Sequence, residues 1–184
     1  MPMRVIAGEY RHRKLVYPEN NPSIRPTKDR IREAVFSSLG DLNNLTFLDL
    51  YAGCGSIGIE AISRGASKVY FVDYDDNALK YVRENVNSLG VNDKGIILKS
   101  NDIDAIKKFV YSALKFDIIY FDPPYESDCY KNALPLIFEY DLLANNGVLL
   151  VESKLPIEIN PIWNVDVKEY HYGEITIYKL RKKL

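Results

Sequence analysis

Asp49-Leu-Tyr-Ala-Gly53-Cys-Gly55-Ser-Ile-Gly58 leaves an apolar run at residues 46–50 and turns toward the next segment. Glycines at this spacing allow a tight strand-to-helix turn and close approach of the backbone to a ligand. Gly53, Gly55 and Gly58 satisfy the dinucleotide fingerprint, and Asp73, twenty residues beyond Gly53, is placed to accept ribose hydroxyls. Asp49 separates two cofactor classes. A carboxylate four residues before the first glycine repels a pyrophosphate at the helix N-terminus. The same carboxylate favours the ammonium of S-adenosylmethionine. The plain structural alternative is a buried Asp49 that caps the amides of its own loop.

Working outward, apolar strand-like runs at residues 46–50, 68–72, 96–98, 116–121 and 147–151 alternate with helical patterns at 77–89, 102–112 and 129–140, the last interrupted by Pro135. Such alternation predicts an α/β fold, a doubly wound parallel sheet covered on both faces. Two alternating runs at 165–171 and 174–180, split by Gly173, predict a tight antiparallel hairpin and bring the strand count to seven. A mostly parallel, Rossmann-like sheet ending in such a hairpin is the architecture of class I methyltransferases. Asn101-Asp102, after the third strand, offers either a contact to an adenine amino group or an ordinary helix cap. The expected cofactor-binding set is Asp49, Gly53, Gly55, Gly58, Asp73 and Asp102.

The front of the chain differs. Residues 3–7 and 14–17 alternate and predict a small hairpin with basic residues at its tip. Residues 18–26 read as a connector, Thr27 as a helix cap, and Ile31, Val35 and Leu39 as one apolar face that Gly40 ends. The organisation expected is a basic hairpin and linker over residues 1–26 and a methyltransferase domain over 27–184.

Asp122-Pro123-Pro124-Tyr125 follows the fourth strand, where ligands bind in such sheets. Two prolines hold the chain extended, so the Asp122 carboxylate and the Pro123 carbonyl present fixed acceptors. An exocyclic amine is a donor whose lone pair is delocalised into its ring. Two acceptors orient its hydrogens and aim the nitrogen, and Asp122 stabilises the charge that develops as the new bond forms. Tyr125 offers a flat face for a flipped-out base, a role in which its hydroxyl should matter little. Asp122, Pro123 and Tyr125 are the expected catalytic residues.

The chain has 184 residues and a net charge of −1, so bulk charge does not announce nucleic acid. Its distribution does. Arg11, Arg13, Lys14, Arg25 and Arg30 crowd the front and are the expected RNA contacts, with the hairpin tip reaching phosphates beside the open strand ends. A second basic cluster, Lys179 to Lys183, closes the sequence. Two distant cysteines and two isolated histidines suit a reduced cytoplasmic protein with no metal site. No apolar run has the length of a membrane span.

The sequence resembles the bacterial 16S ribosomal RNA guanine-N2 methyltransferase family of the RsmD type over nearly its whole length. The marks are Arg4-Val-Ile-Ala-Gly8, Arg11-His-Arg13-Lys14-Leu15, Arg25-Pro-Thr-Lys-Asp29-Arg30-Ile-Arg32-Glu33, Leu48–Gly55 and Phe121–Tyr125. Tyr51 and Cys54 stand where the family often has Phe and Ser. The resemblance implies methyl transfer from S-adenosylmethionine, leaving S-adenosylhomocysteine, to a guanine N2 amine, without a metal. It implies ribosomal RNA as partner, free or in an assembled small subunit; a cytoplasmic monomer is expected, although the sequence does not give the oligomeric state. Rival readings are a DNA adenine-N6 methyltransferase, a protein-glutamine methylase, an NAD-dependent oxidoreductase, and a non-catalytic RNA-binding protein on a relict methyltransferase fold.

Overall fold

Strands β1 (Thr46–Asp49), β2 (Lys68–Asp73), β3 (Gly95–Lys99), β4 (Phe116–Phe121) and β5 (Leu143–Ser153) occupy the apolar runs and pair in parallel. The computed structural model describes residues 3–20 and 29–184. With β6 (Val165–Tyr172) and β7 (Ile175–Lys182) the strands form one seven-stranded sheet, ordered β3-β2-β1-β4-β5-β7-β6. β7 runs antiparallel to both its neighbours, as the terminal hairpin requires. The order reverses between β1 and β4, which opens a crevice at the carboxyl ends of these strands.

Side-chain alternation assigns the two faces. Phe47, Ile118, Tyr120, Val148 and Leu150 pack on one side with apolar residues of α1 (Asp29–Leu39), α2 (Ser56–Ser63) and α3 (Asp76–Leu89). Leu48, Ile119, Phe121, Leu149 and Val151 pack on the other side with α4 (Asp102–Tyr111) and α6 (Leu134–Glu139). The helix expected over 129–140 divides into α5 (Cys129–Asn132) and α6, with Pro135 in the first turn of α6. Pro135 has no amide for a continuous ladder, and its ring would meet the carbonyl of Lys131. β5 is longer than expected at both ends and so carries Glu152 and Ser153. Thr27, Arg25 and the domain boundary expected after residue 26 lie outside the described residues.

The two front runs pair antiparallel through a single bridge, Arg4 to Lys14. Three backbone hydrogen bonds support it: Val5 N–H to Arg13 at 2.9 Å, His12 N–H to Val5 at 2.9 Å and Leu15 N–H to Met3 at 3.0 Å. Regular strands do not develop, because α2 takes the intervening amides. Ile6 and Ala7 donate to the Glu60 carboxylate at 2.9 and 3.0 Å. Glu9 N–H donates to the Ser63 carbonyl at 2.8 Å, and Tyr10 N–H to Ser63 Oγ at 3.0 Å. Glu60 is fully buried and also accepts Arg64 Nε at 2.8 Å. Gly8 turns the tip at φ 85°, and a Cβ there would lie 1.9 Å from the Ser63 carbonyl oxygen. Asn85 of α3 holds the amide and carbonyl of Val16 at 2.8 and 2.9 Å. Met3, Val5 and Leu15 share the core beneath α1–α3.

This docking corrects where the basic tip points. α2 starts at the glycine loop on the carboxyl edge of the sheet and runs back about 12 Å to Ser63. A tip held by Ser63 therefore lies at the amino edge. Arg13 Nη2 donates to the Ser88 carbonyl at 3.0 Å, near the end of α3 on that same edge. Arg11 and Arg13 are exposed there, away from the open strand ends. The base of the hairpin sits beside the glycine loop instead, with Met3 Sδ 3.9 Å from Cys54 Sγ.

Glu60→Ala leaves two amides and the Arg64 guanidinium without their acceptor. The variant should lose about 3 kcal/mol or more of stability. Urea unfolding followed by circular dichroism measures this, and a wild-type midpoint would show that Glu60 does not anchor the hairpin.

Candidate active site

The glycine loop is held by two acids, one at the end of each flanking strand. Asp49 is buried, and its Oδ2 accepts Gly58 N–H at 3.0 Å. Burial pushes its pKa up to about 7, with Asp73 adding to the rise and the Gly58 amide opposing it. Asp73 Oδ2 accepts Gly53 N–H at 2.9 Å and Oδ1 accepts Asp75 N–H at 2.9 Å. Each oxygen of Asp73 thus holds one backbone amide and keeps acceptor capacity for an outside donor. Gly53 and Gly55 turn the loop at φ 55° and 84°. Gly58 has a packing role as well, since a Cβ there would lie 2.3 Å from the Phe71 ring. Asp102 opens α4; its Oδ1 accepts Ile103 N–H at 2.8 Å and its Oδ2 accepts the Tyr51 hydroxyl at 2.8 Å. Asn101 caps the helix on Asp104 N–H at 2.8 Å.

Strand register then gathers further acids. Asp49 lies level with Tyr120 of β4, and Tyr120 with Leu150 of β5. Two residues on, along one face, come Asp122 and Glu152. These two are neighbours, one pleat beyond Asp49. Removal from water, then the Glu152 carboxylate, then Asp49 hold Asp122 well above the usual carboxylate range. Pro123 behind it is buried and Pro124 is exposed. Among the described residues, no donor is hydrogen-bonded to the Asp122 carboxylate, and the residue is half-buried.

Three phenols converge on Glu152. Tyr120 donates to Oε2 at 2.6 Å, Tyr125 to Oε1 at 2.9 Å, and Tyr130 to the backbone carbonyl at 2.7 Å. Tyr125 is half-buried, and Lys154 Nζ stands 5.0 Å from its ring centroid. Sequence reading missed Glu152, Tyr120, Tyr130 and Lys154. The available signal was the parity that aligns Asp122 with Glu152, visible only once β4 and β5 are known to be paired.

The basic residues divide between the two edges. Arg30 is exposed in the first turn of α1, whose Arg32 donates to the Arg4 carbonyl at 2.6 Å beside the glycine loop. Lys14, bridged to Arg4, is exposed nearby. The basic C-terminal stretch has acidic partners: Lys182 pairs with Asp141, and Lys183 with Asp166 at 3.2 Å. No cluster of three metal-ligating side chains occurs among the described residues, and no helix there is long and apolar enough to cross a membrane.

Sheet order, glycine loop and acid-lined crevice together define a class I methyltransferase fold. The solved structure of yhhF from Escherichia coli superposes with a TM-score of 0.85 at 25% identity, covering 100% of this chain and 99% of that one. Residues 3–181 match the model of the family described as Conserved hypothetical protein 95, and the chain belongs to that family, the RsmD family. It is 32% identical to YlbH of Bacillus subtilis, covering 97% of this chain and 100% of that protein. It is also 32% identical to the ribosomal RNA small subunit methyltransferase D of Haemophilus influenzae, over 83% of this chain and 79% of that protein.

The raised Asp49 pKa has a stability consequence. Folding then binds a proton more tightly than the unfolded chain does, so ionisation of Asp49 opposes folding as pH rises from about 4 to about 7. Asp49→Asn keeps an acceptor for Gly58 and removes that penalty. The variant should be more stable than wild type above pH 7, with the gap closing toward pH 4. Denaturant titrations across this range test it; a gap independent of pH would remove the ionisation account.

Proposed function

We propose that this protein transfers a methyl group from S-adenosylmethionine to the exocyclic N2 amine of a guanine in 16S ribosomal RNA. The observation that carries the reading is the Asp122 carboxylate, set by register beside the acids of β1 and β5 at the switch-point edge. The donor set fits the cofactor. Asp73 retains acceptor capacity for ribose hydroxyls, and Asp102, which also accepts Ile103 N–H and the Tyr51 hydroxyl, is assigned to the adenine amino group. Asp49 favours a cation through its field, since Gly58 already occupies one of its oxygens. Crowded carboxylates disfavour a pyrophosphate. The names of the Haemophilus and Escherichia relatives, ribosomal RNA small subunit methyltransferase D, support the RNA target.

When bound, S-adenosylmethionine supplies an electrophilic methyl on a good leaving group. The chain's own work is positioning. Asp122 and the Pro123 carbonyl accept the two amine hydrogens and aim the nitrogen. Tyr125 stacks on the extruded base. As the nitrogen becomes positive, Asp122 stabilises the charge and accepts the released proton. A metal has no part in these steps. RNA reaches the site over the α1 side, where Arg30 and Lys14 contact phosphates; Arg11 and Arg13 are distant contacts at most, and Arg25, expected from sequence as a contact, lies outside the described residues. The reading takes the protein as a cytoplasmic monomer acting on free RNA or on an assembled subunit.

Mass spectrometry of 16S ribosomal RNA nucleosides, from cells with and without the gene, tests the target. N2-methylguanosine should fall in the deleted strain; a fall in N6-methyladenosine instead would overturn the guanine assignment. Asp122→Ala should lower the single-turnover rate by roughly 10² to 10⁴ while cofactor affinity in calorimetry stays near wild type. A near-normal rate would reduce Asp122 to a structural cap.

A further inference from the structure

Tyr125 is tied at both its hydroxyl and one ring face. Its hydroxyl donates to Glu152 Oε1 at 2.9 Å, while Tyr120, two residues before Asp122 on the same face of β4, donates to Oε2 at 2.6 Å. Glu152 is 3% exposed and sits on a paired strand, opposite Ile177 of β7. Its place is therefore set by the sheet and not by the loop that carries Tyr125. The Lys154 ammonium lies 5.0 Å from the centroid of the Tyr125 ring and is attracted to that face. The opposite face is the one assigned to a base. Loops after strands are the mobile parts of such folds, and an aromatic plate on a loop needs an anchor to hold an angle.

We propose that Glu152 is the positioning residue of this site: it fixes the Tyr125 ring, through the phenolic hydroxyl, at the angle that presents the target base to Asp122. The inference rests on the methyltransferase reading above. It reverses the expectation that the hydroxyl is dispensable, because in the structure the hydroxyl is the link between loop and sheet. Tyr120 makes the anchor two-sided, holding the second carboxylate oxygen so that the first points at Tyr125. Glu152 touches neither base nor cofactor in this role. It works through Tyr125, and the two should behave as one unit.

The test uses the full-length protein, radiolabelled S-adenosylmethionine and small ribosomal subunits from a strain lacking the gene. Wild-type incorporation into guanine N2 comes first, and its failure would strike the functional reading alone. Given that activity, Tyr125→Phe and Glu152→Gln should each lower the single-turnover rate at saturating RNA by about tenfold or more, as expected when a reacting group is misplaced by a fraction of an ångström to an ångström. Calorimetric affinity for S-adenosylhomocysteine should stay within about twofold of wild type, which separates misplacement from a general structural defect. The double variant should be no slower than the worse single one, the non-additivity expected of residues acting through one contact. Independent losses that multiply in the double variant would overturn the proposal. So would a wild-type rate for Tyr125→Phe, or a defect confined to cofactor affinity or thermal stability.

Discussion

Four neighbouring parallel strands end at one edge, and each brings an acid there. Asp49 closes β1, Asp73 closes β2, Asp122 follows β4, and Glu152 lies near the end of β5. Parallel pairing forces this crowding, because every strand enters from the same side and register fixes which residues stand level. Removal from water first, and neighbouring carboxylates second, raise the pKa values of Asp49, Asp73 and Asp122. The edge by itself is thus electrostatically unsatisfied in a defined sense. It is relieved by protons or by a cationic ligand. A sulfonium nucleoside is such a ligand and a dinucleotide is not. The same crowding that costs the fold some stability gives the crevice its preference.

The rest of the architecture keeps that edge in place. Asp73 reaches from β2 to the Gly53 amide, and Asp49 from β1 to the Gly58 amide, so the loop is pinned from two strands. Gly58 lets α2 approach the Phe71 ring. The far end of α2 then holds the front hairpin through Glu60 and Ser63, so a segment remote in sequence shares the core below the glycine loop. One helix connects the glycine loop to the segment whose base lies beside it.

The sheet and the acids at its edge were legible because both leave local marks. Near-continuous apolar runs ending in Asp, glycines at fixed intervals and a proline-locked tetrapeptide each occupy a few adjacent residues. Glu152 left no such mark. It stands one residue beyond the run read as residues 147–151, and its importance comes from pairing between β4 and β5, which are separated by 21 intervening residues. The direction of the front hairpin was likewise invisible. Counting charges located Arg11 and Arg13 in the sequence, but Glu60 and Ser63, on a helix whose contacts had not been read, decide which edge they occupy. The split between α5 and α6 was half visible, since Pro135 signals a break without saying that a new helix starts just before it.

An acid-lined crevice by itself is a poor host for a polyanion, and depth resolves the conflict. Asp49 and Glu152 are 2% and 3% exposed, whereas Arg4, Lys14, Arg30 and Lys154 are exposed. Exposed charges more than about 8 Å apart are largely screened at physiological salt. A phosphate at the surface therefore responds mainly to the nearest exposed cations, and a base inserted into the crevice meets the carboxylates as neutral matter carrying N–H donors. Glu126 and Asp128, exposed just after the tetrapeptide, make that flank unfavourable for a backbone. On the function proposed above, the two conditions would select one approach: phosphates along the α1 and hairpin-base side, the base turned inward past Tyr125, and the acids reached only by the part of the nucleotide that carries no negative charge.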